Sequence, residues 1–251
     1  MINFNRNFDI GITLKNLNFA FILLLATVSF LHAQPNLNNQ IFKTYDALVG
    51  TDNTGLFNGT EFTDLYLNTD GTYRYLQGFD YSKGTVTYNG QYYVNVSLKY
   101  DLLEDALIAR SEDNLSIFNI KLIPNFVASF SIHNRDFILL TNTNLGLSGN
   151  GFFEEAYLGT NLKLYIKHAK KMKDRAKEGG VEYRFKNNNS YIVKIGGKYT
   201  LVNSKRDLRK LIPEKEGQIR EFYKTYRALY KTNRELFMIN LIKYLDAPKQ
   251  S

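Results

Sequence analysis

The chain of 251 residues contains no cysteine, no tryptophan and only four prolines. Without cysteine there is no disulfide staple, no thiolate metal site and no thiol nucleophile. The fold must be held by its core alone. An apolar fraction of 44% is enough to build one, which excludes wholesale disorder. Histidine is scarce too, three in the whole chain. Beyond the first 33 residues only His133 and His168 remain, and neither has a partner at metal-ligand spacing. No Gly-x-Ser-x-Gly elbow, phosphate-binding glycine loop or dinucleotide fingerprint occurs. No metal, no cofactor and no local catalytic triad is therefore expected. Long apolar runs are lacking as well. The longest charge-free one, Phe19–Leu31, has 13 residues, short of the about 20 that a membrane-spanning helix needs.

That run lies within residues 1–33, which read as a secretory signal peptide. Arg6 and Lys15 precede it, and small Ala33 follows, ahead of Gln34 and Pro35. The expectation is an exported bacterial protein, periplasmic, cell-surface or secreted. It is not expected to be an integral membrane protein once the leader is removed. An outer-membrane barrel is disfavoured, because runs such as Arg184-Phe185-Lys186 supply no outward apolar band.

The net charge of +8 is an average over two unlike halves. Residues 34–159 hold seven Lys/Arg against 14 Asp/Glu, and residues 160–251 hold 23 against nine. Such asymmetry points to partners rather than to fold.

The front of the chain reads in period two. Val94, Val96, Leu98 and Tyr100 alternate with polar or exposed positions, a half-buried strand. Asn89-Gly90 and Gly196-Gly197 separate strand-like runs and predict tight hairpins. Asn68 to Gly71 predicts another, between Phe62–Leu67 and Thr72–Gln77. About a dozen short strands with turn residues every 8–12 positions predict an antiparallel sandwich or barrel-like body. After Val202 the period changes to three and four. Ser204 with Asp207, and Thr232 with Glu235, are capping-box starts. Ile219, Phe222, Tyr223, Tyr226, Leu229 and Tyr230 mark one apolar helix face. Phe237, Met238, Leu241, Ile242 and Leu245 mark another. The predicted class is α+β, with a β-rich body at 34–203. Two or three amphipathic helices at 204–251 are expected to lie on the same unit.

The sharpest local feature is a basic run: Lys163, Lys167, Lys170, Lys171, Lys173, Arg175 and Lys177, with Asp174 the only acid inside it. Such a patch binds anions by counterion release, or it is a solvated loop after a strand. Beyond an export signal nucleic acid is not expected. An acidic protein surface or anionic envelope lipid is. A second basic group, Lys205, Arg206, Arg209 and Lys210, sits on a helix start, where it opposes the helix dipole. The acids Asp101, Glu104, Asp105, Glu112 and Asp113, and the pair Glu154-Glu155, fit solvated turns. Paired carboxylates could also serve glycoside hydrolysis.

Gly84-Thr85-Val86-Thr87-Tyr88-Asn89-Gly90, Val94–Asp101 with Leu107-Ile108, and the tail Leu208–Phe222 resemble a group of uncharacterised exported β-rich proteins of flavobacteria and their relatives. The resemblance implies an exported bacterial protein and brings no catalytic residues with it. The functional expectation is a non-enzymatic binding or scaffold protein of the envelope with a charge-split surface. The alternatives are a carrier of a lipid or other apolar ligand within a curved sheet, and a hydrolase using paired carboxylates.

Overall fold

The computed structural model describes residues 55–66, 71–111, 117–141, 143–145, 150–178 and 180–247. The leader at 1–33 lies outside them, as do the turn residues Asn68, Thr69 and Asp70 and the acids Glu112 and Asp113. The described strands, in chain order, are β1 (Thr60–Glu61), β2 (Ser82–Tyr88), β3 (Gln91–Asp101), β4 (Ala106–Arg110), β5 (Asn119–Lys121), β6 (Val127–Ile132) and β7 (Arg135–Leu140). They continue as β8 (Gly151–Leu158), β9 (Lys163–Lys167), β10 (Lys170–Lys177), β11 (Gly180–Asn187), β12 (Ser190–Ile195) and β13 (Lys198–Leu201). The helices are α1 (Lys205–Leu211), α2 (Glu216–Thr225), α3 (Arg227–Thr232) and α4 (Arg234–Asp246).

Eleven strands form one antiparallel sheet in the order β1-β5-β4-β3-β2-β6-β7-β8-β9-β12-β13, and β10 and β11 form a separate ribbon. The sheet is open, with β1 and β13 at its edges. The α+β class is thus as expected. It is realised as a long single sheet followed by four helices.

Tight turns set the register. Asn89 and Gly90 take φ of 48° and 80° between β2 and β3, and Gly196 and Gly197 take 53° and 86° between β12 and β13. Both pairs are the left-handed residues that a two-residue hairpin needs. Inside β3 the predicted alternation breaks. The register with β2 slips between Gly84 and Val86, and Asn95, opposite the slip, has φ of 57°. This bulge turns Tyr93 into the core where Val94 was expected to point. Gly84 is required there, since a Cβ would collide with the Ser131 carbonyl of β6.

The expected hairpin between Phe62–Leu67 and Thr72–Gln77 is not formed by the described residues. Residues 71–81 run outside the strands and touch β3 through one bridge, Tyr75 to Asp101. The Arg74 guanidinium is buried against the Asp101 and Glu104 carboxylates of the β3–β4 turn, which holds the segment beside the end of β3.

Two large cores succeed one another along the chain, and a smaller cluster of Leu140, Phe153, Tyr165 and Ile192 draws on both stretches. The front core runs from Leu56 to Phe152, and its centre is aromatic. Phe130 stacks on Phe137 at 4.6 Å, and the Tyr100 ring meets both edge-on. The rear core runs from Leu162 to Leu245 and joins Leu164, Ile166, Tyr191 and Val193 of the sheet to α4. Phe237, Met238, Leu241, Ile242 and Leu245 supply the helical side, as their spacing predicts. Asp246, the last residue of α4, closes this core. Its carboxylate accepts hydrogen bonds from the backbone N–H groups of Thr160, Asn161 and Leu162 at 2.8–3.0 Å and from the Tyr157 hydroxyl at 3.0 Å.

Two helix boundaries differ from the sequence reading. Tyr226 divides the apolar run 219–230 into α2 and α3. Asn233, not Thr232, caps α4, its side chain accepting from the Leu236 N–H at 3.0 Å. Thr232 instead ends α3, its hydroxyl donating to the Ala228 carbonyl.

Candidate functional site

The ribbon that carries the basic run is the outer part of one long hairpin. β9 and β12 pair with Lys167 opposite Ser190, and β10 and β11 pair with Lys170 opposite Asn187. The register is the same in both pairs. Only His168-Ala169 and Asn188-Asn189 interrupt it, and even there the Asn188 N–H donates to the Ala169 carbonyl at 2.8 Å. The run expected as a strand followed by a possible loop is therefore strand on both sides of a short break.

The structure divides the seven predicted residues. Lys163 and Lys167 lie on β9 in the main sheet. The Lys167 ammonium is ion-paired with Asp105 and sits 5.1 Å from the Phe153 ring. Burial lowers its pKa, and Asp105 opposes that shift. Lys170, at the ribbon's start, lies 4.6 Å above the Tyr73 ring, and burial lowers its pKa too. These three belong to the body of the protein. Lys171, Lys173, Arg175 and Lys177 are exposed and occur at every second residue, so they share one face of the ribbon. Among the described residues none of these four forms an ion pair.

Cross-strand pairing adds to that face what the sequence reading missed. Lys171 stands opposite Lys186, Lys173 opposite Arg184 and Arg175 opposite Glu182. Six cations and one acid therefore share the face, with Glu182 3.3 Å from Arg184. The alternation at 171, 173, 175 and 177 was the signal for this face. Arg184 and Lys186 become visible only once the register is known. The other face carries Met172, Asp174, Ala176, Val181, Tyr183 and Phe185. Near the root it is anchored. Phe185 is 4% exposed, the Tyr66 ring meets Tyr183 edge-on at 5.1 Å, and the Phe185 N–H donates to the Thr72 hydroxyl at 3.0 Å. Met172 and Val181 remain exposed.

The break at the root lies over a buried ionic cluster. His168 Nε2 is 2.5 Å from Glu154 Oε2, and its Nδ1 is 3.3 Å from the Asn189 amide nitrogen. One Arg135 nitrogen is 2.8 Å from Glu154 and 2.5 Å from Glu235 of α4. The cluster thus ties β7, β8, the hairpin root and α4 together. Burial pushes the Glu154 pKa up, but the hydrogen bond from His168 and the His168 and Arg135 charges outweigh it and leave the pKa below the ordinary value. Glu154, His168 and Glu235 offer atoms within 4.8 Å of one another, close enough for a divalent cation. Arg135 already supplies the positive charge between the two carboxylates, so the cluster fits an ionic clasp better than a metal site. Spacing along the chain gave no hint of it, since its members come from the start of β7, the middle of β8, the residue after β9 and a helix.

The remaining acids are dispersed. Asp101 and Glu104 pair with Arg74, and Asp105 accepts from the Tyr100 hydroxyl as well as from Lys167. Glu155 follows Glu154 on β8 and faces the opposite side of the sheet. The second basic group is balanced locally. Ser204 caps α1 by accepting from the Asp207 N–H, Asp207 lies in the first turn, and Arg209 pairs with Glu216. No helix among the described residues is long and apolar enough to cross a membrane. The chain matches no known family model, no curated protein and no solved structure.

Proposed function

We propose that the chain is a non-enzymatic binding protein of the bacterial envelope, exported on the leader at 1–33, and that it docks on an anionic lipid surface through the β10–β11 ribbon. The observation that carries this reading is the cationic face formed by Lys171, Lys173, Arg175, Lys177, Arg184 and Lys186. Eight residues per strand give a face about 25 Å long. Each basic residue near an anionic bilayer contributes about 1 kcal/mol. This reading is preferred to a carrier with a ligand inside the sheet because Tyr88, Tyr100, Phe130, Phe137 and Phe152 fill that interior. It is preferred to a carboxylate hydrolase because Asp101 and Glu154 are each committed to a buried ion pair.

The test is co-sedimentation of the full chain with vesicles of phosphatidylglycerol and phosphatidylethanolamine, against pure phosphatidylcholine. Binding to the anionic vesicles is expected to fall at least about 100-fold when Lys171, Lys173 and Arg175 are all changed to Glu, and to weaken with added salt. The variant keeps the same leader, so the leader's own affinity cancels. Equal retention of variant and parent would overturn the reading.

A further inference from the structure

Strands β3, β4 and β5 bury one face in the front core. Their other face looks towards residues 61–64 and 71–81. On it Lys99 and Arg110 are diagonal neighbours, because β3 and β4 pair Lys99 with Ile108 and Ser97 with Arg110. One ring lies under both cations. Lys99 Nζ is 4.3 Å and the Arg110 guanidinium carbon 4.0 Å from the Tyr81 centroid, and Lys99 is also 4.5 Å from the Tyr75 ring. Both cations are half-buried. Burial lowers the Lys99 pKa and the Arg110 charge lowers it further, while the more distant charges of Asp64, Asp80 and Asp101 oppose the shift.

Several sequestered cations are answered by a carboxylate: Arg74 by Asp101 and Glu104, Lys167 by Asp105, Arg135 by Glu154 and Glu235. Lys99 and Arg110, which lie side by side, are not. Among the described residues neither forms an ion pair. The Arg110 guanidinium donates to two neutral groups, from Nε to the Asn119 side-chain oxygen at 3.1 Å and to the Tyr81 hydroxyl. Desolvated like charges held side by side are unfavourable unless something anionic compensates them. A cleft of about 360 Å³ opens in front of them, with Phe62, Ile117 and Phe118 on its apolar side. Asp64 lines the same cleft, its carboxylate accepting from the Tyr75 hydroxyl at 2.5 Å, and its charge offsets only part of the two cations.

We infer that this cleft binds a small organic carboxylate, with the anionic group between Lys99 and Arg110 and the apolar body against Phe62 and Phe118. A monoanion suits it better than a phosphate dianion, because Glu61 and Asp64 also line the cleft and repel a second negative charge. The volume fits a ligand of one or two rings. The site lies apart from the ribbon and does not depend on the proposed docking there.

The experiment is titration calorimetry of the full chain with naphthoate, and with naphthylmethanol as the neutral analogue. The carboxylate is expected to bind at least about tenfold more tightly than the alcohol. Lys99→Met and Arg110→Gln should each weaken naphthoate by a similar factor, while Arg110→Lys retains part of the affinity. Circular dichroism melts confirm that the variants fold. Lys173→Glu on the ribbon should leave the titration unchanged, which separates this site from the docking face. Equal affinity for acid and alcohol, no naphthoate binding at its solubility limit, or undiminished binding in both folded variants would overturn the inference.

Discussion

The inner half of the long hairpin, β9 with β12, and its outer half, β10 with β11, follow one register, yet their surroundings have nothing in common. In the inner half Leu164, Ile166, Tyr191 and Val193 are at most 2% exposed. In the outer half every residue from Lys171 to Lys177 is exposed. Backbone pairing is indifferent to this change, since it uses the same ladder on both sides of the break at His168-Ala169 and Asn188-Asn189. What differs is cover. Helix α4 lies over the inner half, whereas the outer half is covered only near its root, by Tyr66 and Thr72 against Tyr183 and Phe185. A two-stranded ribbon alone in water is marginal. This one inherits its register from a buried hairpin and is pinned at its root by Phe185. A ribbon held in that way can carry a face of like charges, a pattern that would be a defect in an isolated strand pair.

The largest effect is expected where the two halves meet. Arg135→Met removes the guanidinium between Glu154 and Glu235, leaves Glu154 with His168 as its remaining partner, and should cost about 3 kcal/mol in urea unfolding at neutral pH. The sign of the pH dependence follows from Glu154. Its folded pKa lies below its ordinary value, so in the parent its contribution is complete above the ordinary carboxylate range. It is lost as pH falls through the folded value. In the variant protonation removes the buried charge, so the difference between the two proteins should shrink on acidification. A constant difference across that range would show that the cluster is not the clasp described.

A smaller effect separates the two environments directly. Ile166→Ala, in the covered half, should lower stability by about 2–5 kcal/mol. Met172→Ala, in the uncovered half, should stay within about 0.5 kcal/mol. Comparable losses at the two positions would mean that the outer half is covered after all. The smallest global change is expected for Phe185→Ala. Hydrogen exchange should accelerate across 171–186 while the amides of β9 and β12 keep their protection, because only the root anchor of the ribbon is lost.

Local signals carried much of this architecture. Asn89-Gly90 and Gly196-Gly197 marked their hairpins because only residues tolerant of positive φ fit there. The three-four spacing of Phe237, Met238, Leu241, Ile242 and Leu245 named the buried stripe of α4 residue by residue. Non-local features were not legible. The bulge at Asn95 reversed a strand face without any change in composition. The capping residue of α4 shifted by one because both Thr232 and Asn233 are competent caps. Arg135, Glu154, His168 and Glu235 meet only after four elements have docked, and no spacing rule links them. The cationic face was half legible, as the alternation along β10. The contribution of β11 required the register.

The two large cores do not overlap in sequence: one ends at Phe152 and the other begins at Leu162. For a chain made from its N-terminus this sets a timetable. Every residue of the front core is available once Phe152 has emerged. The rear core waits for Leu245, and the bonds from Asp246 to residues 160–162 span 84 to 86 positions. Contacts of such separation are late and slow to form. During that interval Leu164, Ile166, Tyr191 and Val193 have strands to pair with but no helix to cover them. The end of α4, at Leu245 and Asp246, therefore decides when the molecule stops exposing a sticky surface.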